Sequence, residues 1–255
     1  YILIKDVVRK DAKDTLEFFE REGVEVKVIS GDNYNTVMSI AEEAGIKNIK
    51  GIDATTLNDE TIKEAALNYN IFGRVTPKQK KQIIKALKEN GKTVAMTGDG
   101  INDVLALKEA DCSIAMASGT DGARNVSQLV LLNSDFSSIP HIVAEGRRTI
   151  NNIERSASLL LVKTIFTILL VLLCIILGSK YFFIPIQLTL ITTFTIGIPS
   201  FILALEPNTD IVKGNFLVKV IGKSVPAALT VVFNVIIVEM FKYAFNLPED
   251  VVSSL

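Results

Sequence analysis

The chain has 255 residues, a formal net charge of −1 at pH 7 and a mean hydropathy of +0.37, so its length allows one or two domains. Most charged residues lie in 1–155, whereas 156–255 is largely apolar, and this excludes a wholly soluble enzyme. A charge so close to zero disfavours nucleic-acid binding, and we expect no nucleic-acid partner.

Short apolar runs alternate with helical patterns in the first 132 residues, and this alternation predicts a parallel sheet with crossover helices. The predicted elements, in chain order, are helix 10–22, strand 24–29, helix 35–44, helix 59–68, strand 71–75, helix 77–90, strand 93–96, helix 102–110, strand 112–116 and strand 128–132. Glycine caps helix C-termini well because it adopts the left-handed conformation without strain. Gly23, Gly45 and Gly91 are the predicted stops. The first part is therefore predicted to be a Rossmann-like α/β domain.

Two of the predicted strands run into a hydroxyl residue followed by Gly-Asp. The two segments are Ser30-Gly31-Asp32 and Thr97-Gly98-Asp99. Ligands of open α/β sheets bind beyond the carboxyl ends of the strands, and the free N–H groups of a following helix attract anions. We expect both segments to offer a hydroxyl and backbone amides to a phosphate. Taken alone, a segment like the first is more often a turn that caps a helix than a phosphate site.

Two aspartates and an asparagine lie close together at the second segment. Asp99 and Asp103 lie four residues apart and flank Asn102. Oxygen ligands of this kind suit Mg²⁺, which favours carboxylates together with substrate phosphate. Lys80, near the start of its helix, could neutralise phosphate oxygens, although alone it resembles any surface lysine. Together these residues predict Mg²⁺-assisted phosphoryl transfer.

The run Met-Thr-Gly-Asp-Gly-Ile-Asn-Asp at 96–103 strongly resembles the signature of P-type ATPases, ion pumps whose phosphorylation domain belongs to the haloacid-dehalogenase superfamily. Residues 73–80 resemble the phosphate-lysine segment of that family, and residues 30–32 resemble its (S/T)GD segment. Residues 146–152 resemble the long helix that joins this domain to the membrane. The resemblance implies a haloacid-dehalogenase-type cytoplasmic domain followed by an α-helical transmembrane bundle.

The resemblance also implies roles at the matching positions, with ATP as the substrate and Mg²⁺ as the cofactor. By this resemblance Asp99 binds Mg²⁺, and Asn102 and Asp103 support the phosphate and the metal shell. Lys80 stabilises the phosphoryl oxygens, and Ser30 and Gly31 donate hydrogen bonds to them. Thr97 and Gly98 belong to the same catalytic set. Asp32 either acts on the nucleotide side or caps its helix.

One departure from the family is large. The DKTGT motif, which carries the phosphorylated aspartate, does not occur in the 255 residues, and neither do sequences for the nucleotide-binding and actuator domains. We therefore expect the chain to be the C-terminal portion of a longer pump. Alone it could not form the aspartyl phosphate and would be inactive.

The predicted domains are a phosphorylation domain at 1–145 and a transmembrane region at 146–255. Apolar runs near 157–178, 184–205 and 218–244 are each long enough to span a bilayer. The resemblance places residues 1–150 in the cytoplasm. The lysines of the second loop agree with a cytoplasmic loop. We expect an integral multi-pass protein of the plasma membrane, in contact with the lipid bilayer.

Lys163 stands inside the first apolar run, where an ionisable residue marks either a functional site or a lysine that extends to the interface. Alignment with calcium pumps places Thr164 and Thr167 where those pumps carry Asn and Glu. The second run resembles the family's sixth transmembrane helix, with its broken centre, and places Thr192 and Thr195 at ion-binding positions. Threonine at helical spacing is equally compatible with ordinary packing.

These patterns predict part of an ATP-driven pump that works through an aspartyl phosphate and transports a cation of unknown identity. Hydroxyls and a lysine do not make a standard calcium site, although a further helix could add a carboxylate. Two alternatives stay open. One is a phospholipid flippase of the same superfamily, and the other is a catalytically inactive, membrane-anchored piece.

Overall fold

The computed structural model describes residues 8–9, 11–178 and 181–245. The chain divides into two separately packed units, one that ends at His141 and one that begins at Ile142. The first unit is an α/β domain with parallel sheets, and the second carries three apolar helical segments. The predicted fold class is confirmed.

In the first unit, strands and helices alternate as predicted. The strands are β1 (Val28–Ile29), β2 (Gly51–Asp53), β3 (Ile71–Gly73), β4 (Ala95–Gly98), β5 (Cys112–Met116) and β6 (Leu129–Leu131). The helices are α1 (Ala12–Arg21), α2 (Tyr34–Glu43), α3 (Thr61–Asn68), α4 (Pro77–Glu89), α5 (Val104–Glu109) and α6 (Asp121–Val126). A 3₁₀ turn, Ile101–Asp103, precedes α5.

The strands form two parallel sheets with the orders β1-β3-β2 and β4-β5-β6. A single hydrophobic core joins them, because Phe72 of the first sheet and Met96 and Ala115 of the second belong to the same buried cluster as Ile83 of α4. Strands of one parallel sheet have their carboxyl ends at a common edge, and each sheet therefore gathers its strand-end segments there.

Helix α4 begins where the sequence predicts. Pro77 is its first residue, and Thr76 accepts a hydrogen bond from the Gln79 N–H while the Gln79 side chain accepts one from the Thr76 N–H. This reciprocal cap fixes the direction in which α4 leaves the end of β3. Gly91, with φ +74°, follows its C-cap in the left-handed conformation.

Several predicted boundaries are wrong, and two elements were missed. Strand β1 begins at Val28 rather than 24, because the Val24 N–H bonds to the Phe19 carbonyl at 2.9 Å to close the end of α1. Strand β4 lies two residues later than predicted, because its pairing with β5 extends to Gly98. The missed elements, β2 and α6, are too short for a periodicity to show.

The second unit contains the long helical segments. Helix α7 (Ile139–Leu177) begins in the first unit and continues into the second, and α10 (Phe216–Phe245) is the last. Between them, α8 (Pro185–Ile191) and α9 (Ile198–Leu205) flank a π-helical turn at Thr192–Gly197. Three segments are long and apolar enough to cross a membrane, Phe136–Leu177, Pro185–Leu205 and Phe216–Phe245, as the sequence predicts. Residues 179 and 180, between the first two apolar segments, lie outside the described residues.

Candidate active site

The carboxyl edge of the first sheet holds the Ser30-Gly31-Asp32 segment. The Val75 N–H donates to the Ser30 carbonyl at 2.9 Å, and the Arg74 N–H donates to the Asp32 carbonyl at 2.8 Å. These bonds fasten the turn after β1 to the segment that leads from β3 into α4. The structure therefore brings Gly31 close to the segment that leads into the helix that carries Lys80.

Within the turn, the Ser30 hydroxyl donates to Asp32 Oδ2 at 2.8 Å and accepts from the Asp32 N–H at 3.2 Å. The cap of α2 is the next residue, Asn33, whose side chain accepts from the Asn35 N–H at 3.0 Å. The alternative role of Asp32 as the helix cap is therefore wrong. Its carboxylate holds the Ser30 hydroxyl instead.

Lys80 is not a surface lysine. Its Nζ lies 2.6 Å from Asp103 Oδ1, and the two residues are only 8% and 7% exposed. The second oxygen of Asp103 accepts from the Gly100 N–H at 3.2 Å. The structure thus joins α4 to the segment after β4 through a buried ion pair, and both carboxylate oxygens of Asp103 have partners.

Gly98, the last residue of β4, is required by this packing. A Cβ atom there would lie 2.7 Å from Asp103 Cβ and 2.9 Å from its Cγ, closer than real contacts allow. The absence of a side chain at Gly98 lets the Asp103 carboxylate lie directly against the strand end. Thr97, one residue earlier, is half-buried and pairs with Ile114 of β5.

Asp99 and Asn102 follow the strand and are both exposed. Among the described residues, no three His, Cys, Asp or Glu side chains converge into a ready-made metal centre. Mg²⁺ commonly keeps several waters and uses one or two carboxylates plus substrate phosphates, so an exposed Asp99 beside a buried lysine fits that ion. The ion would be completed by ligand oxygens rather than by protein alone.

The loop after β5 supports Asp99, a contact that the sequence reading missed. The Thr120 N–H donates to the Asp99 carbonyl at 2.8 Å, and a Cβ on Gly119 would lie 2.6 Å from that same oxygen. The available signal was a glycine and a hydroxyl residue after a third strand, the pattern already noted after β1 and β4. Gly119 and Thr120 therefore hold the backbone of Asp99 in place.

Asp53 and Arg74 add charge to the edge of the first sheet. Arg74 has a left-handed backbone, with φ +54°, and its guanidinium lies 3.4 Å from Asp53 Oδ2. Hydrogen bonds from the Thr55 hydroxyl and N–H, with a smaller contribution from Arg74, hold the pKa of Asp53 below its usual value. The carboxylate stays charged and orients the arginine.

Comparison with known proteins agrees with this geometry. Residues 1–111 match the family described as haloacid dehalogenase-like hydrolase. The chain is 46% identical to "Probable cation-transporting ATPase exp7" of Streptococcus pneumoniae over 99% of its own length, and 45% identical to "Calcium-transporting ATPase CtpE" of Mycobacterium bovis over 90%. The chain belongs with the P-type ATPases. It spans about a third of the length of these relatives, 34% and 30%.

A solved structure extends the P-type ATPase relationship to both units. The crystal structure of a zinc-transporting PIB-type ATPase in its E2·Pi state is 25% identical, with a TM-score of 0.57. The match covers 79% of this chain and 28% of that protein. The resemblance inferred from residues 96–103 is confirmed, and the chain is a multi-pass membrane segment of this family.

The predicted ion-path residues of this P-type ATPase chain fall into two groups. Three threonine hydroxyls donate to carbonyls one turn earlier in their own helices. They are Thr164 to Leu160 at 3.4 Å, Thr192 to Leu188 at 2.6 Å and Thr195 to Ile191 at 2.6 Å. The Thr167 hydroxyl is buried and has no hydrogen-bond partner among the described residues. No ion pair or hydrogen bond joins the half-buried Lys163 to another described residue.

The sequence reading missed a polar cluster at one end of the spans. Glu154, 5% exposed, receives Lys223 at 2.8 Å and Lys219 at 3.3 Å. The fully buried Ser224 hydroxyl donates to the Ser158 carbonyl at 2.9 Å. Lys219 and Lys223 were read only as a sign of a cytoplasmic loop. In the structure they tie α10 to α7.

Proposed function

We propose that this chain supplies the Mg²⁺- and phosphate-binding edge and part of the ion path of an ATP-driven cation pump that works through an aspartyl phosphate. The observation that carries the proposal is the buried Lys80–Asp103 pair, 2.6 Å long, next to the exposed Asp99 at a strand end. A buried pair of this kind presets an ammonium for a phosphoryl group, and phosphoryl transfer depends on such positioning.

The division of work at this edge follows from the contacts. Asp99 and a substrate phosphate would hold Mg²⁺, which would neutralise phosphate charge when bound. Asp103 orients Lys80, because both of its oxygens already accept hydrogen bonds. Ser30, Gly31 and the backbone after β1 would contact the phosphoryl oxygens, and rotation of the Ser30 hydroxyl away from Asp32 would free its proton for them.

A cation is the favoured substrate, since both relatives described above are named as cation or calcium transporters. The π-helical turn at Thr192–Gly197 interrupts the regular hydrogen bonding of its span, and irregular backbone at membrane depth is tolerated where it lines a cavity or site. The ion path is assigned to Lys163, Thr164, Thr167, Thr192 and Thr195. Thr167 and Lys163 are the best candidates among them, because neither the Thr167 hydroxyl nor the Lys163 ammonium has a partner among the described residues.

We infer that Lys163 lies near the depth of this turn. The side-chain amide of Asn152 donates to the Ala204 carbonyl at 3.2 Å, which fixes the level of α9 against α7. Lys163 is about 16 Å further along α7 at 1.5 Å per residue. The neighbouring span runs in the opposite direction, so eleven residues before Ala204 lead to Thr193, which belongs to the π-helical turn. A lysine there supplies a fixed positive charge beside the proposed path.

The test uses membranes that contain the protein expressed from the complete reading frame around this chain. Labelled ATP is expected to give an acid-stable, hydroxylamine-sensitive phosphoenzyme whose level depends on one cation in a panel that includes Ca²⁺. Asp99→Asn is expected to abolish its Mg²⁺-dependent formation, whereas Asp14→Asn, an exposed carboxylate on α1, serves as the matched control.

Other outcomes would contradict the proposal in distinct ways. A phosphoenzyme that responds to phospholipids and to no ion would favour the flippase alternative. Normal phosphorylation of the Asp99→Asn variant would refute the metal role of Asp99. No phosphoenzyme at all would favour the inactive, membrane-anchored alternative. Fractionation of the same cells tests the proposed plasma-membrane location, and protection of residues 1–150 from protease added to intact cells tests their cytoplasmic side.

A further inference from the structure

A groove of about 430 Å³ lies between α7 and α9 in the second unit. Its lining changes character along α7. Glu145, Arg148 and Thr149 line one end, and Ile153, Ala157 and Leu160 extend to the other, with Asn152, Ser156 and Ala204 between them. The polar end precedes the apolar run that starts near residue 157, so the groove crosses from the head-group layer into the hydrocarbon layer.

The size of the groove suits a lipid. From Arg148 to Leu160 the helix rises about 18 Å at 1.5 Å per residue. That length exceeds the head-group layer on one side of a bilayer, roughly 5–8 Å, and reaches well into the acyl chains. Ile153 and Leu160 are 54% and 56% exposed, which leaves apolar surface for an acyl chain.

Asn152 joins the two helices in the middle of the groove. Its Nδ2 donates to the carbonyls of Ala204 and Glu206 at 3.2 and 3.3 Å. The residue is 8% exposed, and its Oδ1 is enclosed by the described part of the chain, so a head group must find its acceptor elsewhere in the groove.

Arg148 supplies the complementary charge. Its guanidinium lies 3.4 Å from Glu145 Oε2, and arginine is well suited to phosphate because its N–H groups can bind two oxygens at once. Glu145 stands beside it as a partner for a positive head group. The polar end therefore offers one cation, Arg148, for a phosphate and one carboxylate, Glu145, for a donor.

We propose that this groove binds a resident phospholipid whose head group carries hydrogen-bond donors. The phosphate binds Arg148, the ammonium of an ethanolamine head group donates to Glu145, and an acyl chain lies along Ile153, Ala157 and Leu160. A choline head group has no N–H to donate to Glu145. The groove therefore discriminates against phosphatidylcholine.

The experiment compares lipids in nanodiscs that hold the protein from the complete reading frame, with bound lipid counted by native mass spectrometry. The probes are phosphatidylethanolamine, its N-methyl and N,N-dimethyl forms, and phosphatidylcholine. Retention is expected to persist while one N–H remains and to fall at least tenfold at the third methylation. Equal retention of all four lipids would overturn the proposal.

Two pairs of variants locate the bound lipid. Arg148→Gln removes the phosphate contact and Ala157→Phe fills the apolar end, and each is expected to reduce retention at least tenfold. Arg147→Gln, a neighbouring arginine outside the groove lining, and Ala227→Phe, an exposed alanine on α10, are the matched controls and are expected to retain the lipid. Unchanged retention in both groove variants, or no retained lipid because another segment covers the groove, would refute the assignment.

Discussion

Lys80 and Asp103 are 23 residues apart in the sequence and form a buried ion pair with Nζ 2.6 Å from Oδ1. Each side chain is only 10% exposed. Each residue is buried by contacts with other parts of the fold. The pair exists because the cap at Thr76 aims α4 at the end of β4, where Gly98 leaves room for the Asp103 carboxylate.

Removal of one member should therefore be costly. Lys80→Met leaves a buried carboxylate unpaired, and we expect a loss of about 3–5 kcal/mol of stability, with a much smaller loss in the Lys80→Met/Asp103→Leu double variant. Amide hydrogen exchange of α4 and β4 measures it. The control is Lys78→Met, because Lys78 pairs with Asp59 at 3.0 Å with both side chains 71% exposed, and exposed pairs contribute little. Equal effects at Lys78 and Lys80 would contradict the argument.

Gly119 is predicted to be essential for a different reason. Alanine there would place Cβ 2.6 Å from the Asp99 carbonyl oxygen, so the backbone that presents Asp99 must shift. We expect about 1–3 kcal/mol of strain and at least a tenfold loss of phosphoenzyme. Gly122→Ala is the matched control, because its Cβ would meet only the Val104 side chain, at an ordinary 3.6 Å. Normal phosphorylation in the Gly119→Ala variant would show that Asp99 tolerates movement.

Acid stability should depend on Asp111. A hydrogen bond from the Val94 N–H and then the Lys88 ammonium hold the pKa of Asp111 below its ordinary value of 3.8. A group with a lowered folded-state pKa stabilises the fold above its unfolded-state pKa, and that contribution is lost as the pH falls through the lowered value. Asp111→Asn should therefore flatten the stability profile below about pH 4. Hydrogen exchange of β4 against pH tests this, and an unchanged slope would contradict it.

The sequence pointed to the candidate residues after β4 because they are local. Residues 97–103 are contiguous, so their chemistry is visible without knowledge of distant contacts. The environment of Lys80 could not be predicted in the same way. Lys80 differs from its neighbours Lys78 and Lys81 only because the packing of α4 buries it against Asp103. Gly119 and Glu154 were missed for the same reason, because their partners are 20 and more residues away.

The Glu154 cluster should stabilise the second unit. Glu154→Gln removes the charge that receives both Lys219 and Lys223, and we expect a loss of about 1–3 kcal/mol. Lys223→Met should cost more than Lys219→Met because its contact is shorter, 2.8 against 3.3 Å. The midpoint of thermal inactivation of the membrane-bound protein measures each change. Lys213→Met, in the loop just before α10, is the control, and an equal loss there would indicate a general effect of positive charge in this region.

Lys163 decides between a built-in counter-ion and a lysine that merely extends to the interface. As a counter-ion at the depth of the π-helical turn, its charge competes with the transported cation, so Lys163→Ala should change which cation supports the phosphoenzyme or uncouple ATP use from transport. Lys163→Arg keeps the charge and should preserve the selectivity of the parent. Phosphoenzyme level and ion flux are measured together across the cation panel. If the alanine variant matched the parent in both, Lys163 would be an interfacial residue, and the ion path would rest on Thr167 and the π-helical turn.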